Sequence, residues 1–497
     1  MPEENSKYKL LRTRFLLPLS DNLGRDTRIS DGFILIEDDI ISDLGKYNAQ
    51  RITEIIDSHG SELKILGYSK EDSKNRIIIP QINGVAIPGF IKAHGHDHES
   101  PIIGIAKDVP LTTWLDEAVN LFTGFLHSNE KELSNQFGKS PYLITYLKAR
   151  IDDIQHGITT AVVHHCNFNK YHVDELVEAN RIAGTKIIIA VGSQDRHYDS
   201  RVLDIPPNVA IERLDTLYAK YKDEPNIKII PGPDQFFSNS PELLTELKKW
   251  AREHNTLIHI HSSEEPATTK WFREEYGLTP IEYGHSIDFL DENTFVGHQV
   301  HNTDNDFEIL SQTKTKVVHN PLANTILGSG IPPLQKFKRY GIEFAISTDG
   351  SGSADNQNII NAARVAAQYQ KAFNQDATLM TAQDVLERIT LVPAKMLGLN
   401  TGSLEVGKPA DITVVDLSVP NLTPTRVDNV VENLIWAANG NEIQYVISNG
   451  KILINDYNFT MFNISTILEE VYELSNKFYE YKNKKTAPKA TGIRNRV

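Results

Sequence analysis

Between about residue 84 and residue 400 the chain alternates eight short apolar runs with longer amphipathic stretches, and this alternation restricts the fold more than any other feature. The runs are Val85 to His94, Ile158 to His164, Lys186 to Val191, Ile227 to Ile230, Leu257 to His261, Thr294 to His298, Lys316 to His319 and Ile342 to Ser347. Stretches of helical character lie between them, such as Glu130 to Gln155, Pro241 to His254, Asp304 to Thr313 and Ile359 to Ala372. Strands alternating with helices pair in parallel, because each parallel pair needs a crossover long enough to hold a helix. Eight such units predict an α/β fold, a (β/α)8 barrel of the triosephosphate-isomerase type with its site at the carboxyl ends of the strands. Several runs end in His or run directly into Asp.

The flanking segments have a different texture. Before residue 85, Lys9 to Leu17, Gly32 to Ile36, Ile40 to Leu44 and Arg76 to Ile79 read as short strands, with polar residues Ser58 to Asn75 as a surface loop. After Leu399, Gly402 to Asp416 and Tyr445 to Ile452 return to strand character. Residues 462–485 read as an amphipathic helix, and Lys485 to Val497 as a basic tail.

Composition limits what the chain does. A formal net charge of −14 argues against a nucleic-acid surface, which needs clustered Lys and Arg. No apolar run approaches the ~20 residues of a membrane span, and the polar, acidic start Met1-Pro2-Glu3-Glu4 is unlike a signal peptide, so no membrane association and a cytoplasmic location are expected. The single cysteine, Cys166, excludes an intrachain disulfide and a zinc site built of cysteines.

The chemistry centres on Pro88-Gly89-Phe90-Ile91-Lys92-Ala93-His94-Gly95-His96. Two histidines at i and i+2 on a strand point to the same face, and in a barrel that face is the lumen. Two imidazole nitrogens then converge on one point, which is half of a metal site. This segment resembles the first barrel strand of the amidohydrolase superfamily, whose Pro-Gly-Phe-x-x-x-His-x-His supplies two metal ligands. Gly104, Asp108, Pro110, Leu111, Trp114 and Leu115 resemble the chlorohydrolase-like branch that holds triazine hydrolases, guanine deaminases and adenosine-type deaminases.

The resemblance implies the rest of the site. In Leu257-Ile258-His259-Ile260-His261-Ser262-Ser263-Glu264, His261 matches the third metal ligand and Glu264 the catalytic acid, while His259 reads as a deeper hydrogen-bonded barrel residue. His298 matches the sixth-strand histidine that orients water or polarises substrate, and Asp349, in Ser347-Thr348-Asp349-Gly350, matches the last ligand, which also takes a proton. His94, His96, His261 and Asp349 suit one Zn2+ per subunit and would accept Fe2+ or Mn2+. Binuclear relatives use a carboxylated lysine on the fourth strand, for which Lys228 lies too early.

Substrate positions follow from the same likeness. Asp234, beside Gln235, stands where related deaminases carry His or Arg, and favours a substrate that offers N–H donors. Asn324, Trp114 and His165 complete the expected contacts. The implied activity is hydrolytic deamination of a small amino-substituted heterocycle or amidine, with hydrolysis of an amide, urea or halide, or a non-catalytic barrel, as alternatives. The resemblance also implies a homodimer or higher homo-oligomer. Residues 1–84 and 401–460 become the two parts of a discontinuous β-sandwich around a barrel at 85–400, followed by a helix and tail at 461–497.

Overall fold

A computed structural model of the chain describes residues 6–67 and 79–486. The first five strands are β1 (Tyr8–Leu16), β2 (Ile29–Glu37), β3 (Ile40–Lys46), β4 (Leu63–Ile65) and β5 (Ile82–Pro88). Eight follow with helices between them: β6 (Phe90–Lys92), β7 (Ile158–His165), β8 (Lys186–Ser193), β9 (Ile227–Pro233), β10 (Ile258–Ser262), β11 (Thr294–His298), β12 (Lys316–His319) and β13 (Phe344–Ile346). The last four are β14 (Ile412–Asp416), β15 (Ile443–Ser448), β16 (Lys451–Asn455) and β17 (Asn458–Phe459).

The eight central strands form two parallel four-stranded sheets, β6-β7-β8-β9 and β10-β11-β12-β13, in chain order. A parallel bridge between Gln235 and His261 joins the end of β9 to β10. Side chains alternate across these strands. Ile91, Val162, Ile188, Ala190, Phe295 and Ala345 share one apolar cluster, plugged from below by Met396 and Leu397. Their neighbours Ala161, Val163, Ile187 and Ile189 pack outward against the helices.

The strands from both ends of the chain meet in one nine-stranded sheet, in which β5 pairs in parallel with β1 and antiparallel with β14. The run Val85 to His94 is therefore not one barrel strand. It divides at Gly89, where a Cβ would lie 2.3 Å from Thr159 Oγ1, so only glycine lets the chain pass from one sheet to the other at this point. Residues 82–88 belong to the outer sheet, and only 90–92 to the parallel one.

Two further expectations change. The N-terminal segment is not all β: Ala49–His59 is a helix capped by Asn48, whose side chain accepts from the Arg51 N–H, and it buries Ile52 and Ile55 against Leu10, Phe33 and Leu35. Part of the expected surface loop is thus the end of this helix and β4. The stretch Glu130 to Gln155 is two helices, Asn120–Phe137 and Pro141–Gln155, because Gly138 takes a left-handed φ of 66° and Ser140 caps the second helix just before Pro141. The C-terminal helix Ile464–Thr486 packs on its own chain, with the Phe478 ring 5.1 Å from Phe122 and 5.6 Å from Phe125. The expected strand residues 76–78 and the basic tail from 487 onward lie outside the described residues. No helix among the described residues is long and apolar enough to cross a membrane.

Candidate metal and active site

The site lies where the parallel strands end. β6 stops at Lys92, so His94 and His96 stand on the segment after it rather than on a strand, and His96 keeps extended backbone with φ −133° and ψ 101°. A buried ionic cluster anchors this segment: Lys92 Nζ donates to Asp153 at 2.7 Å, and Arg150 donates to Asp97 at 2.6 Å and reaches Asp153 at 2.8 Å. Each of these buried charges has an opposite partner, as burial requires.

Hydrogen bonds assign the histidine tautomers. His96 Nδ1 donates to the His164 carbonyl at 3.0 Å, and His261 Nδ1 to the Asp234 carbonyl at 2.7 Å. His259 Nδ1 donates to the Phe295 carbonyl at 2.9 Å, so its Nε2 accepts, and His94 Nδ1 donates to it at 2.6 Å. His94, His96 and His261 are therefore all protonated on Nδ1 and turn bare Nε2 lone pairs inward. Burial holds the His94 and His96 rings neutral, well below the ordinary histidine value.

These lone pairs face one another and a carboxylate with no proton between them. His261 Nε2 is 3.2 Å from His96 Nε2, and Asp349 Oδ1 is 3.3 Å from His94 Nε2 and 3.6 Å from His96 Nε2. The buried His94 Nε2 has no hydrogen-bond partner. Such spacings are the edges of a tetrahedron with arms of ~2.1 Å, which would be about 3.4 Å. The donor set of three imidazoles and one carboxylate fits a divalent transition metal.

His298 differs from these three. Asn324 Nδ2 donates to its Nδ1 at 3.0 Å, which leaves the N–H on Nε2, 3.5 Å from Glu264 and 3.7 Å from Asp349. It presents a donor rather than a lone pair, and burial holds its pKa down to about 3. Glu264 is pushed well above the usual carboxylate range, first by burial and then by the charge of Asp349. Asp349 has φ 74° and His298 φ 70°, left-handed backbone in which such side chains are uncommon. Backbone strain of this kind clusters at functional sites.

A cavity opens onto this group, and Trp114, Asp234 and Gln235 form part of its wall. Burial alone would raise the Asp234 carboxyl, but contacts with His164 and His261 outweigh it and hold it below its ordinary value. Asn324 and His165 are not in the wall: Asn324 sits behind His298, and His165 lies buried with its ring 5.2 Å from Tyr146. Lys228 is exposed on β9, away from the site. The wall also contains Cys166, and residues that the sequence does not single out, among them His98, Glu99 and Tyr198. The Glu99 carboxylate accepts from the Ser353 N–H at 2.9 Å and its hydroxyl at 2.8 Å, and burial with the nearby Asp349 charge pushes it up to about 8. His98 had a signal, since it continues the two-residue spacing of His94 and His96.

Residues 85–453 match the model of the amidohydrolase family. A 5′-deoxyadenosine deaminase of Methanosphaera stadtmanae is 30% identical over 427 residues, 85% of this chain and 93% of that protein. A 5-methylthioadenosine/S-adenosylhomocysteine deaminase of Thermococcus sibiricus is 28% identical over 432 residues, 87% of this chain and 91% of its own. The crystal structure of an adenosine deaminase from Xanthomonas campestris with bound zinc superposes with a TM-score of 0.78 at 19% identity, covering 95% of this chain and 98% of that one. The chain belongs to the amidohydrolase family. It is a hydrolase that acts on carbon–nitrogen bonds other than peptide bonds.

Proposed function

We propose that this hydrolase deaminates an adenine-type nucleoside without a 5′-phosphate, exchanging the exocyclic amino group for oxygen from water and releasing ammonia. The observation that carries the reading is a buried Glu264, its carboxyl raised by burial, beside a ring of three bare imidazole lone pairs and Asp349. The names of the Methanosphaera and Thermococcus relatives support the substrate class. So does the cavity wall, which among the described residues holds Glu99, Asp234, Glu264 and Asp349 but no Lys or Arg to receive a phosphate.

In this reading His94, His96, His261 and Asp349 hold Zn2+, a choice supported by the donor set and by the zinc in the Xanthomonas structure. When bound, zinc supplies the Lewis acidity that brings the pKa of water towards ~7. Glu264 delivers its proton to the ring nitrogen next to the attacked carbon, and Asp349 takes a proton from the attacking water. The Nε2–H of His298, turned inward by Asn324, donates to the oxygen as charge develops on it. Trp114, Gln235 and Asp234 contact the heterocycle. The amino nitrogen leaves as ammonia once protonated.

We also read the two parallel sheets as one closed barrel. The Gln235–His261 bridge supports closure on one side, and Ser347 supports it on the other, where its hydroxyl donates to the His94 carbonyl at 2.8 Å and accepts from the His94 N–H at 3.1 Å. The nine-stranded sheet, with one apolar cluster enclosed between its two ends, supports a sandwich formed by the N- and C-terminal segments.

The test is ammonia release by the zinc-loaded enzyme with 5′-deoxyadenosine, 5′-methylthioadenosine, adenosine, AMP, guanine and a chlorotriazine, with each product weighed by mass spectrometry. The expected result is deamination of the uncharged adenine nucleosides, with kcat/KM for AMP at least 100-fold lower. Chloride release from the triazine with no ammonia from any nucleoside would overturn the reading.

A further inference from the structure

We infer that a cleft at the amino ends of the parallel strands, opposite the metal site, binds a small organic phosphate whose charge is held by Lys228 and Lys316. The cleft measures about 470 Å³, within the range of ordinary small-molecule sites. Leu257 and Asn293, which stand directly before β10 and β11, and Lys316, which opens β12, place it at the strand starts. Lys222, Lys228, Lys316 and Lys395 stand in its wall, which among the described residues contains no Asp or Glu. The cavity at the metal site is the reverse, with four carboxylates and no Lys or Arg. A wall of one positive sign is unexpected in a chain whose formal charge is −14.

Strand alternation turns two of these lysines toward the space between the sheets. Lys228 lies two residues before Ile230, and Lys316 two before Val318, and both apolar side chains belong to the cluster between the two parallel sheets. Residues two apart on a strand share a face. The register partner of Lys228 on β8 is Ile188, a member of the same cluster. The first inward position of β9 and of β12 is therefore an ammonium group.

These charges have no counter-ion. Among the described residues no carboxylate lies within ion-pair distance of Lys222, Lys228 or Lys316; Lys316 Nζ donates to the Met396 carbonyl at 3.0 Å, and only Lys395 is paired, with Asp21. Burial lowers Lys228 from its ordinary value, and it lowers Lys316 too, against the more distant Glu343, Glu292 and Asp291. A partly desolvated cation without a partner is costly, and a bound anion removes that cost. In the same wall the buried Thr256 hydroxyl also lacks a hydrogen-bond partner. Lysines bind phosphate as point charges, and a phosphate ester carries enough negative charge for two of them. Leu257, Met396 and Leu397 line the rest of the cleft and suit an apolar or aromatic body on the ester. The inference stands on this cleft and is independent of the deaminase reading.

The test is calorimetric titration of the zinc-loaded full chain with phenyl phosphate, inorganic phosphate and phenol. The expected result is one equivalent of phenyl phosphate bound at least tenfold more tightly than inorganic phosphate, with no binding of phenol. Lys228→Gln and Lys316→Gln should each weaken phenyl phosphate by about 10-fold, the size of one lost charge-assisted contact. Lys249→Gln, an exposed lysine on the helix Pro241–Glu253, should leave it unchanged. No binding of phenyl phosphate at millimolar concentration overturns the inference. So does an affinity that neither cleft variant changes, which would place the ester elsewhere, or inorganic phosphate binding as tightly as the ester. If Lys316→Gln does not fold, Lys228→Gln, at a position solvent already reaches, decides alone.

Discussion

The orientation of His94 depends on a residue outside the ring of lone pairs. His259 receives the His94 Nδ1–H and passes the polarity on to the Phe295 carbonyl, with its own ring stacked 4.2 Å from that of Phe295. Groups that fix a ligand's tautomer are worth about 10–100-fold in metal affinity. His259→Ala should weaken zinc binding by that factor in a chelator competition, and His259→Gln, whose side-chain oxygen can still accept, should recover part of it. Glu264→Gln is expected to keep the metal and lower kcat by about 10²–10⁴-fold, the range of a lost general acid. Turnover within tenfold of wild type would remove Glu264 from the mechanism. At this scale the sequence was informative where a side chain stands at a strand end, as His261 and His298 do. It was silent on Glu99 and Tyr198, because only the folding of separate loops brings them to the cavity, and it could not tell that Asn324 addresses His298 rather than the opening.

Among the elements, the junction of β5 and β6 shows how a continuous apolar run hides a break. From Val85 to Ile91 the residues are apolar apart from Gly89, so periodicity reads one strand where the structure has two in different sheets. Gly89→Ala should cost about 1–3 kcal/mol, because the buried, β-branched Thr159 has no rotamer that clears the added methyl. A thermal midpoint within 1 °C of wild type would contradict the clash. The alternation of runs and helices identified all eight parallel strands, since each is short, apolar and followed by a helix. The helix Ala49–His59 escaped notice for a physical reason: the residues it buries, Ile52 and Ile55, are β-branched and look like strand residues without the partner sheet.

For the whole molecule, buried neutral histidines set the response to acid. His319 is fully buried, and burial alone holds it down to about 3, while His165 is also held well below its ordinary value by burial. In the unfolded chain both titrate near ~6.5. Below that pH the unfolded chain takes up protons that the folded chain refuses, so the stability these groups provide is complete above ~6.5 and is lost as pH falls towards ~3. His319 contributes a slope of about 1.4 kcal/mol per pH unit inside that window, and His165 acts in the same direction. Denaturant midpoints followed from pH 7 to pH 4 should therefore fall, and His319→Asn should reduce the proton uptake on unfolding by about one.

The placement of β5 between β1 and β14 also bears on how the protein is made. During synthesis the N-terminal strands emerge first, yet one edge of β5 stays unpaired until the ribosome has passed residue 416 and delivered β14. Throughout that interval the nascent chain offers an open apolar edge, the kind of surface that recruits chaperones or pairs with a neighbouring chain. Translation must carry the whole catalytic region through before its supporting sheet can close, so completion of the outer sheet is a late event on the ribosome.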